Sequence, residues 1–214
     1  MFKPIRWNTF IRDLLVIQIG FALFGLSIAL TIRSNLGTGT WSVFEVALAN
    51  ITKLSVGTIT IIVGFSVLLI ALALREQVGW GTLANILSIG PWLDLCLWVL
   101  PSVKGNLFLQ VTMLLGGVFA QGIASAIYIG VNAGAGPRDS LMLALHRRTK
   151  LSLRVARGAI EITVFIIGWL LGGPAGIGTL IFAVLVGPSV QWAFRMFNVR
   201  PHNPDVLVPQ ASED

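Results

Sequence analysis

With 214 residues, 55% hydrophobic and only 11% charged, the chain falls well short of the roughly 25% charged residues of a water-facing domain. Its mean hydropathy is +0.85 and its apolar residues come in long blocks, which excludes a soluble globular protein and points to a membrane protein. The net charge of +6 is that of cationic helix flanks. No basic face is interleaved with aromatics, so a nucleic-acid partner is not expected, and the lone Cys96 allows neither an intrachain disulfide nor a thiolate cluster.

Residues 1–12 form a cationic N-terminus with Lys3, Arg6 and Arg12. The next apolar run, Asp13–Ile32, is long enough to span and leads into no cleavage pattern, so it reads as a retained helix rather than a signal peptide. A glycine break, Gly37-Thr38-Gly39-Thr40-Trp41-Ser42, then opens a short helical piece, Trp41–Ile51. Spans are expected at Val56–Leu74, Thr82–Leu100 and Leu107–Gly130. A second break, Gly134-Ala135-Gly136-Pro137-Arg138-Asp139-Ser140, opens a second short piece, Asp139–Arg148, before spans at Val155–Leu171 and Thr179–Phe197. Each of the six long segments can cross a hydrocarbon core that needs about 20 residues. The two short pieces, about 10 residues long, cannot, and read as re-entrant or interfacial half-helices. The proline-bearing tail, residues 198–214, is expected to be disordered and cytoplasmic.

The two halves repeat one another at a constant offset (134 − 37 = 97) without a gap. Thr52-Lys53-Leu54-Ser55 falls on Thr149-Lys150-Leu151-Ser152, Gly79 and Gly81-Thr82-Leu83 on Gly176 and Gly178-Thr179-Leu180, and Gly90-Pro91 on Gly187-Pro188. One ungapped register over this length marks a duplication. The expected fold is therefore all-α and transmembrane, a single membrane domain over 13–197, with repeats 13–100 and 107–197. Each repeat holds three crossing helices and one half-helix. An odd number of crossings per repeat inverts the second copy relative to the first.

Placing the N-terminus inside puts Lys3, Arg6, Arg12, Arg75, Arg138, Arg147, Arg148, Lys150, Arg154, Arg157, Arg195 and Arg200 on the cytoplasmic side, against Arg33, Lys53 and Lys104 outside. Twelve cations against three set both termini in the cytoplasm. Segment length, not charge, is what favours six crossings.

A half-helix that starts inside a membrane aims free N–H groups and a partial positive charge into the protein. Gly37, Gly39, Thr40, Trp41 and Ser42 on one side and Gly134, Gly136, Arg138, Asp139 and Ser140 on the other are thus the candidate substrate-binding residues. The alternative is an ordinary glycine turn before an interfacial helix. Pro137 fits a first helical turn, with Asp139 or Ser140 as caps. Arg138 and Asp139 replace Trp41 and Ser42 of the other copy, and either pair with each other or leave Arg138 to the inner headgroups. Glu161, whose counterpart is Gly64, and Asp94 are intramembrane acids and hence candidates for ion or proton coupling. For Glu161 the alternative is an i, i+4 pair with Arg157. Glu45 is placed near Lys53 at a surface. Thr82 and Thr179 are expected as helix N-caps, and Gly90-Pro91 and Gly187-Pro188 as interruptions of the third and sixth spans. No phosphate loop, metalloprotease motif, cysteine–histidine cluster or dinucleotide fingerprint is present, so neither an enzyme nor a bound cofactor or metal is expected.

The paired segments Leu36-Gly37-Thr38-Gly39-Thr40-Trp41 and Gly134-Ala135-Gly136-Pro137-Arg138-Asp139, with Gly176, Gly178-Thr179 and Gly187-Pro188, resemble the YczE/YyaS/YitT family of small bacterial integral membrane proteins. The likeness covers almost the whole chain except the tail. It departs at Thr40-Trp41-Ser42, where something closer to proline-tryptophan-aspartate is expected. The resemblance implies a bacterial inner-membrane location and transport, with no reaction or substrate attached. The leading expectation is a secondary transporter or exporter of a small molecule or ion, surrounded by the bilayer and compatible with homo-oligomers. A channel and a non-catalytic scaffold or accessory subunit are the alternatives.

Overall fold

The structure, a computed structural model, describes residues 7–76, 79–134 and 136–199. The expected disorder of the tail concerns residues that, from 200 onward, lie outside the described ones, as do the first six of the N-terminus.

The described residues form eight helices and no strand: α1 Phe10–Arg33, α2 Thr40–Thr52, α3 Val56–Ala73, α4 Trp80–Val99, α5 Leu107–Gly130, α6 Pro137–Thr149, α7 Leu153–Leu170 and α8 Ile177–Met196. Each helix of the second half starts at the sequence offset of 97 from its counterpart (107 − 10, 137 − 40, 153 − 56, 177 − 80). The lengths match as well, at 24, 13, 18 and 20 residues in both halves. The cause is local and repeated. Ser55 and Ser152 cap α3 and α7 by accepting from the amides of Thr58 and Val155, three residues on, which satisfies donors left orphaned at a helix start. Lys53 and Lys150 end α2 and α6 in the left-handed region, at φ 63° and 57°. Pro137 occupies the first turn of α6, where its missing N–H costs nothing.

Two expectations about α4 and α8 change. Their caps are Gly79 and Gly176, and Thr82 and Thr179 sit one turn inside. From there the Thr179 hydroxyl accepts from the Gly176 amide at 3.3 Å. Nor do Pro91 and Pro188 interrupt these helices, each of which runs on for 20 residues through its proline.

The halves interlock. α1 packs along α5, α4 along α1 and α8 along α5, while each short helix lies on a long helix of the other half, α2 on α7 and α6 on α3. The joints are made by backbone. The Gly178 amide donates to the Leu36 carbonyl at 2.7 Å, and at the equivalent positions Gly81 donates to Ala133 at 3.0 Å. Gly37 and Gly134 sit beside these bonds at φ +116° and +135°, where a side chain is strained. A Cβ on Gly37 would also meet the Gly176 amide at 2.8 Å, and one on Gly134 the Gly79 Cα at 2.8 Å.

Large apolar side chains point outward on the long helices, among them Leu69, Trp98, Leu170, Leu180 and Val184, a surface suited to lipid rather than water. Among the described residues, five helices, α1, α3, α4, α5 and α8, are long and apolar enough to cross a membrane. The sixth expected span is α7. It matches α3 in length, but its 18 residues carry Arg154, Arg157 and Glu161, and that charge sets it apart.

Candidate functional site

The starts of the two short helices meet in the middle of the molecule. Trp41 and Arg138 hold equivalent positions in the two halves (138 − 41 = 97), and the Arg138 guanidinium lies over the Trp41 ring, 4.6 Å from its centroid. A cation on an indole face is favourable, the more so away from water. Around this contact is a cavity of about 410 Å³ lined by residues of all eight helices.

The charges there reach from one half to the other. Glu45 of α2 is 0% exposed. It accepts from Arg138 of α6 at 2.5 Å and from the Thr60 hydroxyl of α3 at 3.1 Å. Glu161 of α7 accepts from the Thr40 hydroxyl and from the Trp41 indole N–H at 3.3 Å. A carboxylate at the first turn of α2 also meets the positive end of that helix. Asp139 accepts from the Tyr128 hydroxyl at 3.2 Å, and the same hydroxyl accepts from the Gly136 amide at 3.1 Å.

These pairings correct three local expectations. Arg138 and Asp139 do not pair with each other, because Glu45 and Tyr128 take them. Glu45 is not near Lys53 at a surface but inside, neutralised from the other half. Glu161 bonds to α2 rather than to Arg157, its neighbour one turn back. In each case the nearest partner in sequence loses to one brought in by the interlocked helices.

Of the residues singled out from the sequence, Gly39, Thr40, Trp41, Ser42, Gly136, Arg138, Asp139 and Glu161 line the cavity. Gly37 and Gly134 lie behind it, at the joints with α8 and α4. Ser140 is buried, and its hydroxyl has no hydrogen-bond partner among the described residues. Asp94 stands apart, accepting from the Ser55 hydroxyl at 2.5 Å and the Gly57 amide at 2.8 Å. It holds the start of α3 to α4. Sequence reasoning missed Asn85, Gln121, Ser125 and Tyr128 as polar lining. Tyr128 had one signal, as the only tyrosine in the chain. No group of three or more His, Cys, Asp or Glu residues able to hold a metal occurs among the described residues.

A model of the family of unknown function DUF6198 matches residues 11–195. The chain belongs to that family. It is 31% identical to an uncharacterized protein of Haemophilus influenzae over 198 residues, covering 92% of this chain and 90% of the relative. To the uncharacterized membrane protein YczE of Bacillus subtilis it is 30% identical over 191 residues, 88% of this chain and 85% of the relative. To the uncharacterized protein YyaS of the same organism it is 28% identical over 172 residues, 79% and 86% respectively. No solved structure matches the chain. The resemblance drawn from the glycine motifs therefore holds, and the chain is a membrane protein with several apolar helices.

Proposed function

We propose that this protein is a secondary transporter of a small molecule, built from six crossing helices as two inverted repeats in the bacterial inner membrane, with both termini cytoplasmic. The observation that carries the reading is the central cavity, lined from all eight helices, at which the first turns of α2 and α6 meet. Broken helices whose N-termini converge between inverted repeats are how many secondary transporters hold a substrate. At about 410 Å³ the cavity lies within the range of roughly 300–1,000 Å³ that small-molecule sites occupy. The charges of α7 fit a crossing helix. Arg154 falls in its first turn, where a long side chain reaches toward headgroups, and Arg157 and Glu161 line the cavity. Glu161 is the coupling group in this reading, a carboxylate whose hydrogen bonds to Thr40 and Trp41 join α7 to the start of α2. Asp94, tied to the start of α3, is not assigned that role. No covalent chemistry is assigned to the protein.

Two measurements test this. In a Cys96→Ser background, single cysteines at positions 50 and 147, which are equivalent in the two halves, should react with an impermeant thiol reagent from opposite sides of the membrane. Labelling from one side rules out the inverted six-span arrangement. In sealed vesicles containing only this protein, a proton gradient should drive flux of some member of a broad solute panel. Glu161→Gln should reduce the gradient-driven part by about tenfold or more. Full gradient-driven flux in that variant would remove Glu161 from the mechanism, and no flux for any solute would defeat the transport reading.

A further inference from the structure

Arg138, Asp139, Arg157 and Glu161 line the cavity, and Glu45 is bonded to Arg138. None of these charges has a charged counterpart in the other half. At the offset of 97, Glu45 answers to Met142, Arg138 to Trp41, Asp139 to Ser42, Arg157 to Thr60 and Glu161 to Gly64. The paired helices nevertheless have equal lengths, so each forms with the charge or without it. Charge inside a membrane domain is costly to place. The set is therefore better explained by what the cavity holds than by what the helices need.

Its sum is negative. Three carboxylates, Glu45, Asp139 and Glu161, stand against two guanidiniums, Arg138 and Arg157. Glu45 takes Arg138, which leaves Asp139 and Glu161 against Arg157, and Arg157 forms no ion pair among the described residues. Uncharged donors hold both acids, the Tyr128 hydroxyl on Asp139 and the Thr40 hydroxyl and Trp41 indole on Glu161. Tyr128 engages Oδ2 of Asp139, and Oδ1 has no hydrogen bond among the described residues. Such donors orient a carboxylate without cancelling its charge, so one positive charge is still wanted. The walls beside Asp139 are aromatic. The Phe24 ring meets Tyr128 edge-on at 6.1 Å, and both line the cavity. Ring faces attract a weakly hydrated organic cation, as Trp41 already does Arg138. A metal cation instead needs a close shell of several oxygens, and about 410 Å³ is far more room than a bare ion fills.

We infer that the cavity binds an organic monocation, whose ammonium group lies at Oδ1 of Asp139 against the rings of Phe24 and Tyr128, with Glu161 as the second carboxylate of the site. This names the substrate class of the transport reading and rests on that reading for every step after binding, though binding itself is measured separately.

The test uses the full chain in phosphatidylcholine nanodiscs and tritiated benzyltrimethylammonium, whose charge is permanent and whose ring suits the aromatic wall. Saturable binding is expected. Unlabelled phenethylammonium should compete, and benzyl alcohol, phenylacetate, zwitterionic phenylalanine and sodium at the same concentration should not. Two variants should then move in opposite directions. Asp139→Asn, which keeps an acceptor for Tyr128, should weaken binding by about tenfold or more. Arg157→Gln, which removes a like charge that has no ion pair, should strengthen it by about threefold or more. A site that merely lost its shape would weaken in both. Should Asp139→Asn fail to fold, the competition series and Arg157→Gln decide. No saturable binding, equal competition by benzyl alcohol, phenylalanine or sodium, or weaker binding in Arg157→Gln would each overturn the inference. Flux of an anionic or neutral solute without binding of the probe removes the cation site and leaves transport standing. Binding of the probe without flux of any solute does the reverse.

Discussion

Arg138→Ala is expected to lower the unfolding free energy by about 3 kcal/mol, at the lower end of the roughly 3–5 kcal/mol typical of breaking a buried ion pair from one side. Glu45 has no exposure to water of its own. Without Arg138 its carboxylate keeps only the Thr60 hydroxyl, while the stack on Trp41 is also lost. The Arg138 side chain is 34% exposed, so water entering the space it leaves recovers part of the loss, which is why the lower figure applies. Removing both charges should be far gentler. Met142 occupies the place equivalent to Glu45 in the other half, so methionine has a precedent there. Glu45→Met with Arg138→Met is expected to return to within about 1–2 kcal/mol of the native protein. Denaturant unfolding in detergent, followed by circular dichroism, reads all three proteins. If Arg138→Ala unfolds like the native chain, or the double variant is no better than the single, the pair does not hold the two halves together.

The pair also marks how far the sequence could be read. Helix positions were legible because their causes are local. Apolar runs, serine caps and glycine or proline breaks placed the eight elements to within a few residues, with Trp41–Ile51 found as Thr40–Thr52 and Asp139–Arg148 as Pro137–Thr149. The repeat at one offset was legible for the same reason, since each copy carries its own signals. The partners of the charges were not. Arg138 meets Glu45 from 93 residues away and Thr40 meets Glu161 from 121, and only the packing of each short helix on the opposite half creates these contacts. Sequence reasoning offered the neighbours at one or four residues, Asp139 and Arg157, and the fold chose otherwise. Thr82 and Thr179 were misplaced as caps on a smaller scale, because the joints with Ala133 and Leu36 leave room at Gly79 and Gly176 for backbone alone.

The same comparison of halves yields a prediction with a built-in control. Gly90 and Gly187 are equivalent by sequence, both precede a proline within a helix of 20 residues, and both can be replaced by phenylalanine. At Gly90 the new Cβ would lie 2.5 Å from the Gly57 carbonyl oxygen and 2.8 Å from Ile61 Cγ1. Neither can move freely. The carbonyl belongs to the first turn of α3, whose Gly57 amide is held by Asp94, and Ile61 lies at the packed seam of α3 and α4. Overpacking of this kind costs about 1–3 kcal/mol and more where backbone must shift, so Gly90→Phe should reach at least the upper figure or leave the chain unfolded. At Gly187 no atom lies within 4 Å of the new Cβ. There the gain of a better helix former than glycine, up to about 1 kcal/mol, is opposed by no clash, and stability should hold or rise slightly. The two unfolding curves should therefore separate by about 3 kcal/mol or more for one substitution at two equivalent sites. Coincident curves would mean that α7 closes on α8 as α3 does on α4. A separation means that the close seam made by Gly57 and Gly90 has no counterpart in the half where Arg154 and Glu161 have taken the places of two glycines.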